Sequence, residues 1–150
     1  MAEGDFSTKY NPSNYKTNDR LYRSYRLSDL NEGIEKLELN TIRFPDFSCN
    51  WSRFSEPADI RQRKYGLPTD GCFSFSVDKA QYKEMATPCH DPLLENYSHT
   101  EVRQLTPEEP LTFEPPKRRK LSSHNWSKTK RLEYRQNIVN NMTIELEATA

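Results

Sequence analysis

Six residues near the middle of the chain, Cys72–Val77 (CFSFSV), alternate bulky apolar and small side chains without a break. A repeat of two is that of a β-strand, sending Phe73, Phe75 and Val77 to one face and Cys72, Ser74 and Ser76 to the other. The three larger side chains are therefore the first candidates for a core. Leu21–Arg26 (LYRSYR) has the same period. Its alternation groups Leu21, Arg23 and Tyr25 against Tyr22, Ser24 and Arg26.

Between these strands the pattern changes. Ser28 and Asp29 are helix-capping residues, and Glu32 follows Asp29 at the capping-box distance. Leu27, Leu30, Ile34 and Leu37 then fall at helical spacing, which predicts an N-terminal helix. Leu39–Phe44 reads as a short strand ended by Pro45. Residues 45–70, rich in Pro, Ser and charge, read as a long irregular loop. Asp78 caps a short predicted helix through Met85, and Pro88–Leu94 reads as a further loop. Asn96–Leu105 (NYSHTEVRQL) reads as the last strand, and Ser127 caps a helix to about residue 146, with a seam of Leu132, Val139, Met142 and Leu146. This order implies an α+β fold: a small mixed sheet with one N-terminal helix, a long irregular loop and a C-terminal helix. The boundaries expected are a flexible N-terminus (1–17), an α+β domain (18–105), a Pro-rich basic linker (106–126) and the C-terminal helix (127–147).

Composition limits how much this fold can bury. Only 33% of the 150 residues are hydrophobic, which implies a thin core with loose tails. A net charge of zero and 11% aromatic residues nonetheless separate the chain from typical disordered sequences. Met1–Lys16 has no apolar run of the signal-peptide type, and no stretch reaches membrane-spanning length. A cytoplasmic protein with three reduced cysteines is expected, and its Asn-X-Ser/Thr sequons are read as chance. The charge is unevenly spread: Lys117–Arg135 holds eight basic residues and one acidic, which leaves an acidic remainder.

Four groups of residues carry potential chemistry. On an extended strand Tyr97, His99, Glu101 and Arg103 share a face. A His and a carboxylate two apart can act together on a ligand, or all four can be solvated edge residues. In the second group, residues 47–61, Trp51 and Phe54 lie among Asn50, Arg53 and Arg61. Such a mixture stacks a base or nicotinamide and binds phosphates, or it plugs a thin core. Cys49, Cys72, Cys89 and His90 lack any CxxC spacing, so buried free thiols are expected rather than zinc ligands or a Cys–His nucleophile. The last group is the basic run Lys117, Arg118, Arg119 and Lys120, followed by Lys130 and Arg131. It suits a phosphate backbone, or it folds back on the acidic body.

The segment LYRSYRLSDLNEGIEKLELNTIRF, taken with HTEVRQL, resembles small ADP-ribosyltransferase-like toxin domains. The combination of LYR, NWS and NYSHTE also resembles small bacterial proteins without an assigned activity. The first resemblance implies NAD as co-substrate, with Arg23 or Arg26 on its phosphates or ribose and Ser74 as the middle-strand residue. It further implies Glu101 at the ribose, in a toxin or defence effector modifying nucleic acid or protein, while His99 is a catalytic candidate through the strand face it shares with Glu101. The alternative is an interaction module that binds protein or nucleic acid through the aromatic loop and the basic arm.

Overall fold

A computed structural model describes residues 8–31, 36–44, 47–119 and 126–150. In chain order the strands are β1 (Arg20–Tyr25), β2 (Leu30–Asn31), β3 (Lys36–Leu37), β4 (Phe47–Trp51), β5 (Gly71–Ser76), β6 (Ala86–His90), β7 (His99–Gln104) and β8 (Thr143–Leu146). The helices are α1 (Val77–Ala80), after β5, and α2 (Lys128–Asn141), before β8, and several short 3-10 segments join the elements. Six strands form one sheet in the order β6-β7-β4-β1-β5-β8, every neighbouring pair antiparallel, while β2 and β3 form a separate two-stranded ribbon.

This overturns the α+β expectation of a mixed sheet behind an N-terminal helix. At the predicted helix, Asp29 does not cap forward. Its carboxylate accepts from the Arg26 N–H at 2.8 Å while its own N–H returns to the Arg26 carbonyl, closing a single 3-10 turn over Leu27–Asp29. One such turn does not repay helix nucleation, and the chain continues as the ribbon, with Leu30 opposite Leu37. Ile34 and Glu32 lie outside the described residues. Leu39–Thr41 forms a 3-10 turn rather than a strand.

Two strands replace predicted loops. β4 lies inside the supposed irregular loop, in the interior of the sheet between β1 and β7. β6 contains Pro88, which a sheet tolerates here because β6 is an edge strand, where a missing N–H costs no ladder bond. Ser127 does cap α2, its side chain accepting from the Lys130 N–H, but the helix stops at Asn141 and the chain returns to the sheet as β8. The seam shifts accordingly: Tyr134, Ile138 and Val139 are buried, and Leu132 is exposed.

Directly paired residues share a face, so the registers sort the sheet into two sides. One side collects Leu21, Tyr25, Phe47, Cys49, Trp51, Phe73, Phe75 and Val102, roofed by α2 through Tyr134 and Ile138. Phe44 ties this layer together, with ring-edge contacts to Phe47, Trp126 and Tyr134. Of the expected flexible lead-in, residues 8–17 belong to this core side. Tyr15 stacks on Trp51 at 3.9 Å between ring centroids and shares a 2.7 Å hydrogen bond with Thr100. The other side is polar, with Ser24, Ser48, Asn50, Ser74, His99, Glu101 and Arg103. It is partly covered by the 3-10 segment Pro57–Gln62, which buries Ile60.

Candidate functional site

The polar side holds a cleft of about 430 Å³. Its strand-borne wall is Ser24 of β1, Ser48 of β4, and His99 and Glu101 of β7. The cleft exists because β1 and β4 part company. They pair only at Leu21↔Trp51 and Tyr22↔Asn50, so Ser24 and Ser48, the next rung on this face, are not bonded to each other. Arg23 fills the break from the core side, with Nη1 donating to the Ser48 carbonyl at 2.6 Å and its guanidinium 5.1 Å from the Phe47 ring. A cation there both satisfies a carbonyl that the ladder leaves and lies on an aromatic face.

Arg63, Lys64, Tyr65 and Gly66 form a second wall. Asp70 shapes this loop by accepting from the Leu67 N–H, and Arg61 Nε donates to the Asp70 carbonyl. At Gly66 a Cβ would lie 2.6 Å from both the Ile60 and the Arg61 carbonyl oxygens, so only glycine lets the chain turn this tightly. The result is a tyrosine ring that is 80% exposed, flanked by two cations with no carboxylate partner among the described residues.

The third wall comes from the turn before β7 and from the returning linker. Asn50 is buried, accepts from Asn96 Nδ2 at 2.8 Å and donates to the Ser55 hydroxyl at 3.3 Å. It thereby fixes Asn96 at the cleft edge. The linker is held down by Arg103 Nη1 donating to the Pro115 carbonyl and by Lys117 Nζ 2.8 Å from the Asp91 carboxylate. It carries Lys117 and Arg118 to the rim. Lining cations thus outnumber lining carboxylates, Glu95 and Glu101, by four to two.

His99 is the best-defined group in the cleft. Its Nδ1 is 2.8 Å from the Asp91 carbonyl, which can only accept, so Nδ1 carries the proton and Nε2 the lone pair. Burial pushes its pKa below the ordinary 6.5, with Arg63 and Lys117 adding to the effect and Asp91 opposing it. The ring is therefore neutral at pH 7. Burial raises the Asp91 carboxyl, but Lys117, His99 and Arg103 together carry it below the usual carboxylate value. Glu101 is almost fully buried, with Oε2 3.8 Å from Arg103 Nη2.

Of the residues singled out in the sequence, His99, Glu101, Lys117 and Arg118 meet here. The others lie apart. Alternation sets Arg23 on the core side, opposite the face that carries Glu101. Arg26 is exposed, 3.7 Å from the Asp70 carboxylate. Ser74 is bound up in a bridge, accepting from Arg20 Nε and Nη2 and donating to Glu145 at 2.6 Å. Trp51 is fully buried under Tyr15, with its indole N–H on Asp19, so it offers no ring to a ligand. Asn50 has both ends of its amide engaged. Arg23, Arg26, Trp51 and Asn50 thus do not gather around one cavity, and they do not fit a bound NAD.

The basic run divides in the same way. Arg119 makes a two-pronged pair with Glu109 at 2.6 Å, which holds that carboxyl down to about 2. Lys120 lies outside the described residues. Lys130 and Arg131 sit on α2, over the core side. The cysteines occupy both faces, and burial pushes the thiols of Cys49, Cys72 and Cys89 up to about 12, which leaves them protonated and unreactive. Sequence reading missed the loop Arg63–Gly66. Its only signal was an aromatic between cations and a glycine, inside a stretch read as unstructured.

Among the described residues no helix is long and apolar enough to cross a membrane. Comparison with known proteins supplies no family, since no family model, curated protein or solved structure matches the chain.

Proposed function

We propose that this protein is a binding module for single-stranded nucleic acid, which it engages through the cleft on the polar side of the sheet. One observation carries the reading: Arg63, Lys64, Lys117 and Arg118 line a single cavity beside an exposed tyrosine ring. Cations neutralise phosphates and release their counterions, and an exposed aromatic face stacks an unpaired base. A volume of about 430 Å³ falls within the range of pockets that enclose a small ligand, and it suits one nucleotide unit better than a duplex. The two lysines and arginines are not equivalent. Lys117 already neutralises Asp91, so Arg63 and Lys64 contribute more of the attraction.

The test is fluorescence anisotropy with a labelled mixed-sequence RNA of about 12 nucleotides, at salt concentrations from ~50 to ~200 mM. Binding that weakens steeply with salt is expected, at about 0.7 in log–log slope per phosphate contact, and Arg63→Ala with Lys64→Ala should flatten it by about 1.4. No binding at low salt, or binding unaltered by the double variant, would overturn the reading.

A further inference from the structure

We infer that the cleft selects RNA over DNA, through a ribose 2′-hydroxyl that donates its hydrogen to Nε2 of His99. The inference rests on the nucleic-acid reading above and concerns one atom of the strand-borne wall rather than the basic rim. The His99 residue is 6% exposed and lines the cleft. Its Nδ1 is committed to the Asp91 carbonyl at 2.8 Å, so Nε2, on the other side of the ring, is the nitrogen left for a ligand. In the neutral ring Nε2 carries a lone pair, and it has no partner among the described residues. Ser24 and Ser48 on the same wall can each donate or accept, so they suit any nucleotide and discriminate nothing.

A bound strand that covers this nitrogen must bring it a hydrogen or leave a buried acceptor unpaired, which opposes binding. Nucleic acid has two kinds of donor, the base edges and the 2′-hydroxyl. The N–H hydrogens of the bases lie toward the pairing edge, remote from the backbone. The 2′-hydroxyl sits on the ribose carbon next to the one that bears the 3′-phosphate. His99 lies among the groups that attract phosphate. Lys117 Nζ is 2.8 Å from an Asp91 carboxylate oxygen that is itself 3.5 Å from His99 Nδ1, and Arg63 and Lys117 both act electrostatically on the ring. An acceptor beside cations that hold phosphate therefore meets the 2′-hydroxyl before it meets a base. DNA has only a C–H at that position, so it keeps the phosphate contacts and loses the hydrogen bond. A site built around such a bond rejects the analogue that lacks it, because its own polar group is left unpaired.

The experiment uses the intact protein and varies the ligand, so it does not depend on a variant that folds. Anisotropy at pH 7.5 compares the labelled RNA with DNA of the same sequence, carrying deoxyuridine so that the bases are identical, and with a 2′-fluoro strand. The fluoro strand keeps the sugar shape of RNA but has no hydrogen to give. RNA is expected to bind about 10-fold more tightly than either, as for the loss of one hydrogen bond that leaves a buried acceptor unpaired. His99→Asn keeps an amide N–H for the Asp91 carbonyl and removes the acceptor from the cleft, and it should abolish the preference. Equal binding of RNA and DNA overturns the inference and leaves the binding module standing. A 2′-fluoro strand that binds like RNA assigns the preference to sugar shape and overturns the inference too. RNA that does not bind at all overturns both readings. A preference for RNA that survives His99→Asn, in a protein whose thermal melt shows it folded, removes His99 from the recognition and overturns the inference.

Discussion

The backbone N–H of Tyr10 donates to Nδ1 of His90 across 3.2 Å, so the N-terminal segment is tied to the edge strand through a nitrogen that must stay unprotonated. The other ring nitrogen, Nε2, then carries the hydrogen and donates to the Tyr97 carbonyl at 2.7 Å. Four aromatic rings, those of Tyr10, Trp51, Phe54 and Tyr97, lie within 6 Å of this imidazole, centroid to centroid. Their packing is what makes a charge there unwelcome.

Stability should therefore fall on mild acidification. Burial lowers the pKa of both His90 and His99 below the 6.5 of an exposed histidine. The unfolded chain then binds protons that the folded one refuses, so stability is complete above about pH 6.5 and declines as pH falls through and below it. Thermal melts at pH 7.5, 6.5 and 5.5 check this. His90→Gln should reduce the pH slope while also lowering the midpoint at every pH. A slope unchanged by this variant would assign the acid sensitivity elsewhere.

Two aromatic truncations should be costly for different reasons. Phe75→Ala opens a cavity beside Phe47, with which it stacks at 5.5 Å, and should cost about 3–5 kcal/mol. Tyr15→Ala removes a residue outside the sheet, yet it strips the cover from Trp51 and breaks the bond to Thr100, so a loss of about 3 kcal/mol is expected. Urea titrations of both variants measure this. A Tyr15→Ala midpoint equal to wild type would show that residues 8–17 are not part of the cooperative unit.

The three thiols should be silent in the native protein. With each pushed up to about 12, almost no thiolate exists at pH 8, and all three are buried. An aromatic disulfide reagent should react with none of them until denaturant is added, and then with all three. Fast reaction of one thiol in buffer would reveal local opening around it.

Gly66→Ala should weaken RNA binding with little change in melting temperature. The added methyl group meets two backbone carbonyls, which cannot rotate away as a side chain end can, so the loop carrying Arg63, Lys64 and Tyr65 must move. Anisotropy and a thermal melt on the same sample separate this from unfolding.

Period-two patterns such as CFSFSV and LYRSYR show in sequence because neither strand carries a proline and their alternation is clean. β4 was hidden by its surroundings: FSCNW alternates too, but it sits between Pro45 and a Ser- and Arg-rich run that outweighs five residues. β6 was hidden by Pro88, whose meaning depends on the strand being at an edge, a fact of topology rather than of local sequence. The same limit governs the site. Alternation correctly put His99 with Glu101, and Leu21 with Arg23. Whether Arg23 and Glu101 share a face depends on the register among β1, β4 and β7, and no single strand encodes that. Lys117 reached the cleft through a pairing with Asp91, across a turn and a strand.

The sheet is closed by residues that leave the ribosome late. β5 gains its outer neighbour only when Ile144 and Leu146 arrive, more than seventy residues downstream. Until then Phe73 and Phe75 stand on an open edge, and α2 is not yet in place to roof them. A nascent chain in this state exposes the kind of alternating apolar strand that pairs with its own copies. Synthesis of this protein therefore passes through an aggregation-sensitive interval, and a stop codon ahead of β8 should yield inclusion bodies rather than a shorter soluble domain.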